Sequence, residues 1–249
     1  MSGHSKWSTI KHKKARQDAQ RGKVFTKLIK EITVAARMGG GDEDMNPRLR
    51  TAVQAAKAAN MPADNIKRAV QKGSGELEGV EYLEITYEGY GPGGVAILLD
   101  TVTDNKNRTA ASVRHAFNKY NGKLAEPGAV AWMFETKGVI DIAKDGVDEE
   151  ALMMTALEAG ADDLVDEDEN WRVLSGLDSF TAVQKALEGG YSFQNVGIEK
   201  LPQNTVAVTE KDAPGLLKLM EMLEDLDDTQ KLTANFDIDD DILASLDTD

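Results

Sequence analysis

The sequence predicts an α+β protein: a small all-α three-helix domain, then two ferredoxin-like (split βαβ) α+β domains, the second inserted in the first. Three observations predict it. Up to residue 72, apolar residues recur at helical spacing, with no alternating stretch. After Gly79, period-two segments appear between helical ones. From Gly138 to Lys200 the order is strand, helix, strand, strand, helix, strand, a complete split βαβ unit. What flanks that unit then has to make a sheet of its own.

Residues 1–22 hold only two large apolar side chains, Trp7 and Ile10, too little to offset chain entropy, so a mobile arm is expected there. A helix over residues 23–37 places Phe25, Leu28, Ile29, Ile32 and Ala36 on one face and Lys23, Lys27, Lys30 and Arg37 on the other. Gly39-Gly40-Gly41 stops it, and Asn46-Pro47 caps a second helix with Leu49, Val53 and Ala56 inward. A third helix, residues 62–72, buries Ile66, Ala69 and Val70 and leaves Lys67, Arg68 and Lys72 outside.

Residues 82–88 alternate as a strand, and Gly91-Pro92-Gly93-Gly94 turns the chain into a second strand over 95–101. A helix over 108–121 buries Val113, Ala116, Phe117 and Tyr120, and residues 130–134 read as a further strand. The inserted unit comprises strands 139–143, 162–167, 171–174 and 191–200 with helices 148–159 and 179–188. A strand at 205–208, a helix at 212–226 and a strand at 230–236 return to the earlier sheet. The expected domains are therefore 1–79, 80–136 with 201–249, and 137–200.

Charge is divided as unevenly as the fold. The net charge is -14, but residues 1–72 carry 16 Lys+Arg against 6 Asp+Glu, or +10, leaving 13 against 37, or -24, for residues 73–249. A phosphate backbone is drawn to the first region and repelled by the second. With no cysteine, disulfides, thiolate metal sites and thiol nucleophiles are excluded. No run of eighteen apolar residues suits a membrane span, and the basic N-terminus lacks the apolar core of a secretory signal. A cytoplasmic protein without membrane contact is expected.

The candidate nucleic-acid-binding residues are Lys6, Trp7, Lys11, Lys13, Lys14, Arg16 and Arg21 in the arm, Lys23, Lys27, Lys30 and Arg37 on the first helix, and Lys67 and Arg68 on the third. Clustered Lys and Arg release counterions from a phosphate backbone and bind it in a salt-sensitive, largely sequence-independent way. Trp7 among these charges either stacks on a base or folds back onto the helices. A second candidate, for an anion or for an interdomain contact, is Asn105, Lys106, Asn107, Arg108, His115 and Lys119. Asn105 or Asn107 reads as a helix cap, while Lys106 and Arg108 sit where the helix dipole disfavours cations.

Other chemistry finds no support. Gly91-Pro92-Gly93-Gly94 matches the GXXG of KH domains but joins strands, where that motif joins helices. Asp237 to Asp241 resembles the start of a Ca²⁺ loop but lacks its glycine and its final glutamate. Asp162-Asp163 and the acidic run 166–169 read as solvated turns, and the acidic α+β surface suits a basic protein partner. The histidines His4, His12 and His115 lack ligand spacing, and no P-loop, nucleophile elbow or HExxH is present. Neither an enzyme nor a cofactor or metal is expected.

Four stretches carry a family resemblance: Gly3-His4-Ser5-Lys6-Trp7; Ile10-Lys11-His12-Lys13-Lys14 on to Lys23-Val24-Phe25-Thr26-Lys27; Tyr87 to Gly94; and Thr103 to Thr109 with Trp132 and Phe134. On these the chain resembles the YebC/PmpR family, which includes the mitochondrial translational activator of a cytochrome oxidase subunit. The resemblance implies three domains and a nucleic-acid-binding regulator. It leaves two targets open: DNA in transcription, or ribosomal RNA in translation.

Overall fold

The computed structural model describes residues 17–167 and 169–246. Helix α1 (Gln17–Gly39) is longer than the sequence predicts and runs through Gly22 without interruption. α2 (Pro47–Ala58) and α3 (Ala63–Ser74) pack against it around Ile32, Ala35, Ala36, Leu49, Val53, Ala56, Ile66 and Ala69. Asn46 accepts from the Leu49 N–H at 3.1 Å as N-cap of α2, and its amide donates to the Ala35 and Gly40 carbonyls, closing the end of α1 as well. α3 lies so close to α1 that a Cβ on Gly73 would stand 2.3 Å from the Thr33 carbonyl oxygen.

The first sheet has the order β3-β1-β2-β9, antiparallel throughout, from β1 (Leu83–Tyr90), β2 (Ala96–Thr103), β3 (Lys123–Leu124) and β9 (Thr229–Ala234). Between β1 and β2 the chain turns at Pro92–Gly94, with φ of 75° at Gly93 and 79° at Gly94, values open to glycine without strain. β2 crosses to β3 through α4 (Lys106–Lys119) with β1 between them, a split βαβ. α4 and α7 (Ala213–Glu224) cover one face, with Phe117, Leu216, Leu219 and Leu223 packed on Ile97 and Leu99.

The second sheet is β5-β6-β4-β7, from β4 (Phe134–Ala143), β5 (Ala161–Asp166), β6 (Asn170–Ser175) and β7 (Phe193–Pro202), with α5 (Glu149–Glu158) and α6 (Leu177–Leu187) against it. That is the ferredoxin-like order. Residues 130–134 are not a strand of the first sheet: Ala131–Met133 form a 3₁₀ turn, and Phe134 opens β4. Val130 and Phe134 instead plug the open face of the first sheet against Ala96 and Leu98, which is why their apolar spacing resembles a strand. Two short segments, β8 (Val206–Ala207) and β10 (Phe236–Asp237), pair in parallel, and α8 (Asp240–Leu246) ends the described chain.

Candidate nucleic-acid interface

The lysines of α1 meet the C-terminal end of α7. Lys23 Nζ lies 3.1 Å from the Asp225 carboxylate, and Lys27 Nζ donates to the Glu224 carbonyl at 2.8 Å. Lys30 Nζ reaches Asp228 at 2.7 Å and the Asp227 carbonyl at 2.8 Å, with both charged side chains buried. Arg37 donates to Glu81 and to the Tyr82 carbonyl. Three lysines one turn apart thus grip the C-terminal end of α7, where free carbonyls and the negative pole of the dipole already favour cations. Lys30 is buried and does not face outward as the sequence suggests, whereas Arg37 and half-exposed Lys23 keep access to solvent beside their carboxylate partners. The three lysines join the helical unit to the end of α7 and the segment leading into β9.

Asp228 is the centre of that contact. Besides Lys30 it receives Arg108 at 3.0 and 3.1 Å and the Thr109 hydroxyl at 2.6 Å. Burial pushes its carboxyl up, but the hydrogen bonds from Lys30, Thr109 and Arg108 outweigh this and hold it below the ordinary aspartate value. Arg108 also pairs with Asp104 at 2.8 Å, so the cation at the α4 N-terminus is answered by carboxylates. Asn105 is the N-cap, accepting from the Arg108 N–H at 3.0 Å. Arg108 is held within its own body by Asp104 and Asp228, and it reaches the helical unit only indirectly, through the carboxylate that it shares with Lys30. Lys106, Asn107, His115 and Lys119 remain exposed, Lys119 with its Nζ 5.3 Å from the Tyr120 ring centre.

A second clamp escaped the sequence reading. Arg48 on α2 donates to Glu31 at 2.7 and 3.0 Å and to Glu84 of β1 at 2.6 and 3.2 Å. The two carboxylates hold its guanidinium charge firmly, Glu31 most strongly. From the other side, Lys200 of β7 meets both Asp100 oxygens at 2.9 Å. Glu31, Arg48, Glu84, Asp100 and Lys200 line a cleft where the helical unit and the two sheets converge. Asp228 also lay beyond the sequence reading, yet a signal existed. The acids 224–228 end a helix at the pole that disfavours them, and such a placement calls for a cation partner.

What stays open to solvent is smaller. Lys67 and Arg68 project from α3, exposed, with no ion pair among the described residues. α4 carries four Lys and Arg and no acid, an island in the acidic portion of the chain; its Arg114, which the sequence reading passed over, is exposed too. The arm residues Lys6, Trp7, Lys11, Lys13, Lys14 and Arg16 lie outside the described residues. Arg21 falls on α1 with only its backbone described. Among the described residues no group of His, Asp and Glu suits a metal ion, and no helix is long and apolar enough to cross a membrane.

Comparison with known proteins decides the family. The model of the TACO1/YebC protein N-terminal domain matches residues 5–76, and that of the TACO1/YebC second and third domain matches residues 82–236. The chain belongs to the TACO1/YebC family. A probable transcriptional regulatory protein of Geobacter sulfurreducens is 60% identical over 96% of both chains. Another so named, from Syntrophobacter fumaroxidans, is 59% identical over 98% of both. Among solved structures, a conserved hypothetical protein of Aquifex aeolicus superposes with a TM-score of 0.80 at 46% identity, covering 89% of this chain and 92% of that one. The TACO1/YebC fold therefore extends to a crystal structure.

Proposed function

We propose that this TACO1/YebC protein is a cytoplasmic, non-enzymatic regulator of transcription that binds DNA. The reading is carried by the charge division: +10 in residues 1–72 against -24 in the remainder. Once the α1 lysines are assigned to docking, the cations left for phosphate are Lys6, Lys11, Lys13, Lys14 and Arg16 of the arm, Arg21 and Arg37 of α1, and Lys67 and Arg68 of α3. Lys106, His115 and Lys119 on α4 form a secondary contact for the backbone. The names of the relatives, probable transcriptional regulatory proteins, agree with it.

We place the functional division at residues 1–79 for grip, 80–136 with 201–249 for the body, and 137–200 for an inserted domain whose acidic surface receives a basic protein. The acidic surface of the inserted domain repels nucleic acid, so that domain is left for a partner.

The test is binding to chromosomal fragments against random duplex at one physiological salt concentration, beside sedimentation with ribosomes. A DNA regulator prefers its own site by at least about a thousandfold. Equal affinity for all duplexes, together with co-sedimentation with ribosomes, would overturn the DNA assignment in favour of ribosomal RNA.

A further inference from the structure

Trp132 has 67% of its surface exposed, although tryptophan is on average a well-buried residue. Its surroundings are not loose. The Ala129 carbonyl accepts from Trp132 Nε1 and from the Tyr90 hydroxyl, each at 3.1 Å, which fixes the polar edge of the indole and leaves its face to solvent. The turn below hangs on Glu88, a buried carboxylate on β1 that accepts from the N–H groups of Gly128, Val130 and Ala131 at 2.6, 2.7 and 2.9 Å. Val130 and Phe134 anchor it in the apolar cluster on the sheet, and the Gln203 N–H donates to the Met133 carbonyl at 2.9 Å. A charge buried to hold a solvent-facing aromatic is an arrangement that folding alone does not require.

A cation shares this face. Lys123 of β3 stands directly opposite Tyr90 of β1, and directly opposed residues of an antiparallel pair project to the same side of a sheet. Tyr90 points toward Ala129, so exposed Lys123 stands on the Trp132 side of the sheet, at its edge. Glu126 is the acid of the intervening loop, also exposed.

We propose that Trp132 is a stacking platform for an unpaired nucleic-acid base, with Lys123 contacting the adjacent phosphate. An aromatic face accepts any base, and a neighbouring cation holds the strand to it. Paired bases within a duplex present only their edges, so the site selects strands with unpaired bases, from melted DNA or from RNA alike. The docked turn supplies the indole already oriented, which lowers the ordering cost of binding. This rests on the nucleic-acid reading above and assigns a contact to the body, far in sequence from the arm.

The full chain labelled with 5-fluorotryptophan carries three resonances, for Trp7, Trp132 and Trp171, and the one lost in Trp132→Phe belongs to Trp132. The probes are a mixed-sequence 12-nucleotide DNA strand, the same sequence as RNA, and the matching DNA duplex. Both single strands are expected to shift the Trp132 resonance and the duplex to leave it in place. Trp132→Ala is expected to lower single-strand affinity about tenfold while duplex affinity stays unchanged. A shift with RNA alone or DNA alone supports the platform and names its source. Single strands that bind while the Trp132 resonance and the Trp132→Ala affinity stay unmoved overturn the platform and leave the arm's role intact. Wild-type protein that binds none of the three probes overturns the nucleic-acid reading and the platform with it.

Discussion

Two helices of the N-terminal unit display lysine and arginine in similar patterns and use them oppositely. On α1, Lys23, Lys27 and Lys30 end on the carbonyls and carboxylates that close α7, and Lys30 is buried there. On α3, Lys67 and Arg68 face water. Amphipathic spacing tells which face of a helix is polar and says nothing of what meets it. The difference lies in the partner: residues 224–228 supply acids at a helix end, and Lys67 and Arg68 have no such counterpart among the described residues. Charge near a domain boundary thus has to be weighed against charge elsewhere in the chain before it is credited to a ligand.

The comparison breaks most forcefully at Asp228. Asp228→Ala leaves Lys30 buried without a partner and releases Arg108 and Thr109, and about 3–5 kcal/mol is expected to be lost. Denaturant unfolding should show the helical unit separating from the sheet as a distinct early transition. A single transition with an unchanged midpoint would mean that the docking is ornamental.

Glu88→Ala is expected to cost about 2–3 kcal/mol, since three backbone N–H groups lose a charged acceptor. Its effect should stay local to the 126–134 turn, read as faster amide exchange at Val130 and Ala131 without early release of α1. That separation distinguishes a carboxylate that positions a loop from one that joins two units.

Acid should act on both carboxylates in the same direction. Burial pushes the Glu88 carboxyl up too, yet the Gly128, Val130 and Ala131 N–H bonds and the nearby Lys200 charge leave it below the usual glutamate value. A carboxyl depressed in the folded protein contributes stability that is complete above its unfolded value, about 4, and is lost as pH falls through the folded value. Melting temperature is expected to hold from pH 7 to about pH 5 and to fall below it. Asp228→Asn should flatten that fall; an equally steep decline would place the acid sensitivity elsewhere.

Smallest of the structural effects is Arg48→Lys. A lysine keeps the charge but cannot bridge Glu31 and Glu84 with paired N–H groups, and the site is partly solvated, so about 1 kcal/mol is expected by thermal melting.

Most of the fold was legible because its signals are local. The Asn46 cap, the Gly91 to Gly94 turn and the βαββαβ order of the inserted unit each sit within a short window. The return of residues 229–234 to the first sheet was legible by elimination, since those elements had no other sheet to join. The 3₁₀ turn at 131–133 was misread because Val130 and Phe134 are buried from a turn with the spacing of a strand. The site was legible in sign and not in arrangement. Lys30 and Asp228 are separated by almost the whole chain, and nothing local to Lys30 marks it for burial. Exposed Trp132 was noted only as part of a family pattern, since its exposure depends on Glu88, more than forty residues earlier.

The central claim is that cations on α3 serve nucleic acid while the lysines of α1 serve the fold. Duplex affinity measured across a salt series for Lys67→Gln/Arg68→Gln and for Lys23→Gln/Lys27→Gln tests it most directly. The first pair is predicted to reduce the slope of log affinity against log salt by about 1.8, and the second to leave it unchanged. A reduced slope in the α1 pair with an unchanged one in the α3 pair would contradict the account.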